Sequence, residues 1–516
     1  MATLGGYALL ATVIGLIIYG LVKYYKLRCV VSLIPGPRSY WFTGNMHQFK
    51  TDPVEFLEQT EGAWKIYNSL GGMMRIWLGM SPFIVIFGAD EAEEILTSSR
   101  HINKGMEYKM LEPWMGLGLL TSYAEKWRPR RKLLTPTFHL DILKDFVKVF
   151  NREAKILVAN LSEKCGKGPF DMYPYITHCA LDIICETAMR RSVNAQGNEE
   201  SDYVRATYRI NDLIHDRQRK PWFWFNWTYW MFGDGKEFQW CLDVVHGFAQ
   251  NVIDERMEEV KKYGGMKKMK ETTKLQRLGF LDLLLEMVED GKMPIEDVRP
   301  EVDTFMFGGH DTTSAAMNWT LWLIGLHPEI QAKILQEVDS VVPDSPSGEL
   351  TFDDLKKLSY LECCLKESMR LYPSVPFYSR QLQDDIVIKG YTIPKVAEIV
   401  VMPYLIHRDP TLWPNPEVYN PDRFRLENST GRHNFAFLPF SAGPRNCLGQ
   451  RFAYMEEKTV LWWVFRHFTV RSVYRRDQVR MKPQIILRPA NGNILELQFR
   501  EKARPGMERQ RNIAFA

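Results

Sequence analysis

Phe437-Leu438-Pro439-Phe440-Ser441-Ala442-Gly443-Pro444-Arg445-Asn446-Cys447-Leu448-Gly449 is the stretch around which the chain is organised. A lone Cys sits in a loop of Pro and Gly, an Arg precedes it by two positions, and a helical pattern follows. Glycine is expected at 443 and 449 because the backbone has to turn there and a Cβ would obstruct the chain or its partner. The sulfur would then lie at a helix N-terminus, where free N–H groups and the positive dipole end favour the thiolate. Arg445 adds positive charge and a donor fork suited to a carboxylate. An isolated Cys is usually a buried core residue. Here Phe440, Gly443, Arg445, Cys447 and Gly449 match a spaced pattern of residue types that each occur at about a few per cent, so the metal-ligand reading of Cys447 prevails.

This loop resembles the haem-binding loop of the cytochrome P450 superfamily, the haem-thiolate monooxygenases. The resemblance implies the family's fold, mainly α with small β-sheets (α+β), and haem b as cofactor. It also implies an axial cysteinate from Cys447 that donates electron density to iron and favours O–O cleavage.

The 516 residues allow a large core, and no Gly/Ser-rich or Pro-rich linker or repeat divides them. The expected organisation is an N-terminal anchor with its basic flank, 1–32, and one catalytic domain, 33–516. A formal charge of +4 is too mild to argue for nucleic acid. The eight cysteines show no C-x-x-C spacing, which argues against a disulfide framework or zinc site and fits a reducing compartment.

Met1 to Val22 carries no charge, and Lys23, Lys26 and Arg28 follow it. As a helix this run matches a bilayer core of about 30 Å. It lacks the basic leader and small-residue cleavage site of a signal peptide, so it reads as a retained anchor with its C-terminal side cytoplasmic. With the resemblance, this implies an endoplasmic reticulum membrane protein. The prolines of Leu33-Ile34-Pro35-Gly36-Pro37-Arg38 predict a stiff connector that sets orientation on the membrane.

Met74–Leu78 and Phe83–Phe87 predict a strand pair, and a helix is expected from Asp90 with Glu93 closing a capping box. Leu111 to Leu120 reads as an apolar loop able to line a pocket; its Gly-x-Gly lacks the third glycine of a dinucleotide site. Trp127 and Arg131 stand four apart, offering an indole N–H and a guanidinium to one anion. The resemblance assigns that anion as a haem propionate, contacted also by Arg380. Arg128, Arg130 and Lys132 are expected to face outward as a basic surface for an acidic electron donor. The aromatic run within Lys220 to Trp240 exceeds one buried helix face and reads as a pocket roof touching the membrane. Lys261 to Arg277 reads as a charged loop.

A helix is predicted from about Ile295 to Leu326, stopping before His327-Pro328. Gly308 and Gly309 in its middle cost about 1 kcal/mol each relative to alanine, which makes sense where a ligand presses on the backbone. Phe305-Met306-Phe307-Gly308-Gly309-His310-Asp311-Thr312-Thr313 is similar to the family's oxygen-side motif. The resemblance makes Thr312 the hydroxyl facing bound oxygen and Asp311 the relay for solvent protons. In detail it resembles the fourth family, the fatty-acid omega-hydroxylases and their invertebrate relatives. Many of those carry a Glu, esterified to a haem methyl, where Gly308 stands. Gly308 therefore predicts noncovalent haem and relaxes the expectation of terminal-carbon selectivity.

Glu367 and Arg370 can pair at i, i+3, and Pro421-Asp422-Arg423-Phe424 resembles a family segment whose Arg joins that pair, with Asp422 replacing the commoner Glu. Val375 and Phe377 are expected to face substrate, and strands are expected at Ile386–Ile388, Ile399–Met402, Ile485–Leu487 and Ile494–Leu497. Together these imply a monooxygenase that inserts one atom of O2 into a lipophilic substrate, a fatty acid at or near its terminal carbon. The chain shows no flavin or nicotinamide fingerprint, so electrons would come from NADPH through NADPH-cytochrome P450 reductase, with cytochrome b5 as a further donor. The alternatives are a haem-thiolate isomerase or dehydratase of lipid peroxides, and a monooxygenase of steroids, terpenoids or xenobiotics. A noncatalytic haem-binding or gas-sensing role ranks last.

Overall fold

The computed structural model describes residues 2–197, 201–273, 279–341 and 348–501. Its first helix, Ala2–Ser32, does not stop at the basic flank. Residues Gly6–Ser32 are long and apolar enough to cross a membrane. The helix end docks on the remaining chain: Tyr24 meets the rings of Trp41 and Trp77 edge-on, and Arg28 lies 4.6 Å over Trp77. Val31 and Ile34 are buried below them. Orientation of the helix is thus fixed by its own last turns as well as by the Pro-rich connector.

Helix dominates. The long helix Val298–Leu326 is buried on nearly all sides, its polar residues Glu301, Asp303, His310, Asp311 and Asn318 included. It packs on helix Tyr173–Met189, and a Cβ at Gly309 would overlap Ile184 of that neighbour. Helix Gln450–His467, buried along most of its length, packs against helix Leu140–Lys164. A four-stranded sheet runs in the order Met73–Leu78, Ser81–Ile86, Glu398–Val401, Tyr378–Gln381, with the central pair parallel and the outer pairs antiparallel. Arg380 pairs in register with Ile399 at its edge, which fixes where the guanidinium starts.

Several local expectations are corrected. Helix Ala89–Leu96 begins a residue early with Gly88 as its N-cap and no side-chain cap, so Asp90 and Glu93 form no capping box. Leu111–Leu120 includes a helical turn, Glu112–Met115. Lys261–Arg277 is not simply a loop: its start ends helix Gly235–Lys262, and Met266–Thr273 is helical, while 274–277 lie outside the described residues. Arg130 does not face outward; it is buried on Asp297 and Glu301 at 2.8 and 3.1 Å, leaving Arg128 and Lys132 exposed. Strand Leu487–Pro489 starts later than expected, and Ile485 and Ile486 form the tip of the hairpin it makes with Met481–Pro483.

Candidate functional site

A cavity of about 310 Å³ lies between the long helix and the Phe437–Gly449 loop. The loop is closed by the Cys447 N–H, which donates to the Phe440 carbonyl at 2.9 Å. Gly443 has φ +69°, and a Cβ there would overlap the Leu96 carbonyl oxygen, so only glycine fits. Gly449 differs from expectation. Its φ of −88° is ordinary, and a Cβ would stand 3.7 Å from Phe138. Its part is that of N-cap: helix Gln450–His467 starts immediately after it, and its N–H serves the Cys447 sulfur. Burial raises the Cys447 thiol, while the Gly449 N–H and the Arg131 charge oppose that rise. Phe440, Cys447 and Gly449 all line the cavity, and the surface that Cys447 exposes faces into it.

Cations gather on one side. Trp127 and Arg131 both line the cavity from helix Ala124–Leu134, as their spacing predicts. Arg445 stacks 4.8 Å over the Trp127 ring and donates to the carbonyls of Ile102, Leu119 and Ser122, which accounts for part of its fork. Arg380 is buried and donates to the Ser379 carbonyl; it stands behind the lining rather than in it. Lys104 joins this group and is not legible in the sequence, because nothing in the mixed polar stretch 100–110 sets it apart from Arg100 or Lys109. Burial holds Lys104 well below the usual lysine value, with Arg380 and Arg445 lowering it further. Burial likewise pushes Arg445 down to about 9, and Arg380 and Arg131 add to it. The nearby carboxyl of Glu107 is itself raised by burial and is too small a counter-charge for such a set. The chemistry of this corner suits a multiply charged anion.

From the long helix, Gly308, Gly309 and Thr312 face the cavity. A Cβ on Gly308 would meet open space, so the glycine widens the cavity and serves no neighbour. The Thr312 hydroxyl donates to the Gly308 carbonyl at 2.8 Å, and the helix stays continuous. Asp311 does not line the cavity. One position along, about 100° round the helix, it points away from the cavity, is fully buried, and forms an ion pair with Arg488.

Behind the loop, Glu367 accepts from Arg370 at 2.7 and 2.8 Å and stands 3.4 Å from Arg423. Arg370 also donates to the His407 carbonyl at 2.7 Å, and His407 Nε2 accepts the Leu438 N–H at 2.7 Å. His407 therefore ties the ion-pair cluster to the start of the Cys447 loop, a link no motif announces. Glu456 and Glu457 are buried beside the cavity, and burial raises both carboxyls well above the usual range; Thr313 lies 3.3 Å from Glu456.

A cysteine sulfur at a helix N-terminus therefore faces a cavity along one side of which cations gather. The family profile described as "Cytochrome P450" matches residues 34–497. Cytochrome P450 4V2 of Homo sapiens is 45% identical over 483 residues, covering 93% of this chain and 91% of that protein. Cytochrome P450 4c3 of Drosophila melanogaster is 41% identical over 493 residues, 93% and 92% of the two chains. Cytochrome P450 4c21 of Blattella germanica is 39% identical over 471 residues, 89% and 92%. The chain belongs to the cytochrome P450 family, and is a monooxygenase of its fourth family.

Proposed function

We propose that this protein hydroxylates a fatty acid or similar long lipophile at or near its terminal carbon, drawing electrons from NADPH through a separate flavoprotein reductase. The observation that carries the reading is one cavity with the Cys447 sulfur on one wall and Gly308 and Thr312 on another. These residues suit haem b: Cys447 would ligate the iron, Trp127, Arg131, Arg445 and Lys104 would receive the propionates, and Arg380 behind the lining would add to their positive field. Bound haem supplies the redox centre at which dioxygen is reduced.

The chain's own residues do the rest. Leu111, Leu119, Phe307, Val375, Phe377 and Ile486 give the cavity an apolar lining that draws a hydrocarbon from water. Gly308 has no carboxylate with which to bond haem, which supports noncovalent attachment, and the open space beside it supports a less strictly terminal point of attack. Extracted haem of unmodified mass is expected, and haem bonded to the polypeptide would contradict this. Thr312 presents its hydroxyl to the cavity, and Asp311 serves as the proton relay once it leaves Arg488.

Exposed Trp222, Phe225, Trp227, Trp230 and Phe232 support a second membrane contact beside the anchor 1–32, with the catalytic domain 33–516 on the cytoplasmic face of the endoplasmic reticulum. Cytochrome b5 is a further electron donor in this scheme.

The test is full-length protein with NADPH-cytochrome P450 reductase and NADPH, offered lauric acid, arachidonic acid and a steroid, with identification of the oxidised carbon. Terminal or near-terminal fatty-acid alcohols support the proposal; steroid alcohols alone would move the substrate class. A second reading, rearrangement of a lipid peroxide, draws on Asp311 lying outside the cavity. Product formed from the peroxide without NADPH would select it.

A further inference from the structure

We propose that Arg75, backed by Arg28, binds the phosphate of an anionic phospholipid headgroup where the anchor leaves the membrane. The inference rests on the reading of 1–32 as a membrane anchor. Strand Met73–Leu78 turns alternate side chains to one face, which therefore carries Met73, Arg75 and Trp77. Met73 and Trp77 are buried in an apolar cluster with Tyr24 and Val31 of the first helix and Ile34 just beyond it. The Arg75 side chain thus starts between two residues that pack under the end of the anchor, where apolar neighbours offer a guanidinium no partner.

Arg75 is partly exposed, but its Nε and Nη1 are buried and have no hydrogen-bond partner, which leaves Nη2 as the nitrogen open to solvent. The connector closes in on it: the Arg75 N–H donates to the Pro35 carbonyl at 2.8 Å, and a Cβ at Gly36 would overlap Arg75 Nη1. Burial lowers the Arg75 guanidinium below its usual value, Arg28 lowers it further, and the Tyr67 hydroxyl is the neighbour that opposes this. That hydroxyl is uncharged at neutral pH. Arg28 stands 4.6 Å over the ring of Trp77, two positions along the strand from Arg75. It donates to neutral acceptors, the hydroxyls of Tyr24 and Ser39 and the carbonyls of Ser39 and Tyr40. Two guanidiniums therefore share one side of the sheet, and among the described residues no carboxylate forms an ion pair with either. Like charges gathered at a half-buried place without an acid are costly, and an arriving anion removes that cost.

The place of the pair selects the anion. Ser32 ends the span that is long and apolar enough to cross a membrane, and the Pro35 carbonyl that accepts from Arg75 follows within a few residues. Tyr25, Leu33, Tyr40 and Phe42, from the same two segments, are exposed. Aromatic rings of this kind settle at the headgroup level of a bilayer. The anion abundant at that level is lipid phosphate, whose oxygens suit a guanidinium. Two positive charges favour a headgroup of net negative charge over a zwitterionic one. An occupied site pins the catalytic domain to the lipid surface at the anchor's exit and holds the orientation that the docked helix end sets.

The test reconstitutes full-length wild type, Arg75→Met and Arg75→Gln in vesicles of phosphatidylcholine alone and of phosphatidylcholine and phosphatidylserine in equal amounts. Native mass spectrometry counts the lipids that stay with the chain after exchange into detergent, thermal unfolding reports stabilisation, and the reduced carbon monoxide spectrum checks folding. Wild type is expected to keep about one phosphatidylserine per chain and to unfold at a higher temperature in its presence. Both variants are expected to lose retention by on the order of tenfold, and with it the temperature shift. Inorganic phosphate, matched against chloride at equal ionic strength, is expected to shift none of the three. Where Arg75→Met fails to fold, Arg75→Gln decides alone. Equal retention in wild type and the folded variant, or phosphatidylcholine kept as well as phosphatidylserine, would overturn the site. Stabilisation by inorganic phosphate equal to that by phosphatidylserine would overturn the lipid as its occupant. Protein released from the vesicles by an alkaline wash would overturn the anchor reading itself, whereas wash-resistant protein with equal retention in variant and wild type would overturn the lipid site only.

Discussion

Arg131 grips the residue immediately before Cys447, donating from Nη1 to the Asn446 carbonyl at 2.8 Å and from Nη2 to the Asn446 side-chain oxygen at 2.7 Å. The fork fixes the direction of the loop as well as supplying charge, and lysine cannot reproduce it. Hydrogen bonds to a charged group contribute about 1.5–3 kcal/mol. Arg131→Lys should therefore lower the haem-to-protein ratio by on the order of tenfold at limiting haem, read by extraction and absorbance.

Glu367 is fully buried with Arg370, and Arg423 lies close by. Removing one partner of such a pair costs about 3–5 kcal/mol, because the charge left behind has no water to turn to. Glu367→Ala should abolish haem incorporation although it touches no part of the cavity. Normal haem content in that variant would contradict the structural role.

Acid stability follows from two histidines. Burial pushes His407 and His215 each down to about 3, so both are neutral in the folded protein. Their unfolded value is about 6.5. Between these limits the unfolded chain binds more protons, and stability falls as pH drops, by up to about 1.4 kcal/mol per unit for each histidine. His407→Gln, which keeps an acceptor for the Leu438 N–H, should flatten this slope. Thermal unfolding followed by tryptophan fluorescence between about pH 7 and pH 5 measures it.

Arg217 organises the aromatic segment 222–232, none of whose residues lines the cavity. It donates to the Phe223 and Trp224 carbonyls at 2.8 and 3.3 Å and to the Asn226 side chain at 2.6 Å, and stacks 4.4 Å over Tyr229. Arg217→Ala should release the 222–232 segment, raising its cleavage by protease several-fold and raising KM for a long-chain substrate more than it lowers kcat. An unchanged cleavage rate would show that the aromatic rings hold the segment unaided.

What sequence made legible was chemistry carried by contiguous residues. Cys447 with its glycines, and Gly308 to Thr312 one helical turn apart, announce themselves because each motif occupies one loop or one helix face. Lys104, His407 and Arg488 act through partners on other elements, 31 and 37 residues away for His407 and 177 for Arg488, so no local pattern marks them. The motif does not say which way Asp311 points. The helix turns about 100° between it and Thr312, and only the position of Arg488 shows which way the carboxylate points. Gly449 and Gly443 look equivalent on paper, yet only Gly443 has a backbone conformation that excludes other residues. Arg130 and Arg128 read alike as a basic face until Asp297 and Glu301 claim one of them.

The central claim is that the Cys447 sulfur binds haem iron as a thiolate. The most direct measurement is the absorption spectrum of the intact, full-length protein after reduction and saturation with carbon monoxide, beside Cys447→Ser. Wild type should show the red-shifted band of thiolate-ligated haem, and the variant should lose it. A band typical of imidazole or water ligation in folded wild-type protein, or a thiolate band that survives Cys447→Ser, would contradict the account.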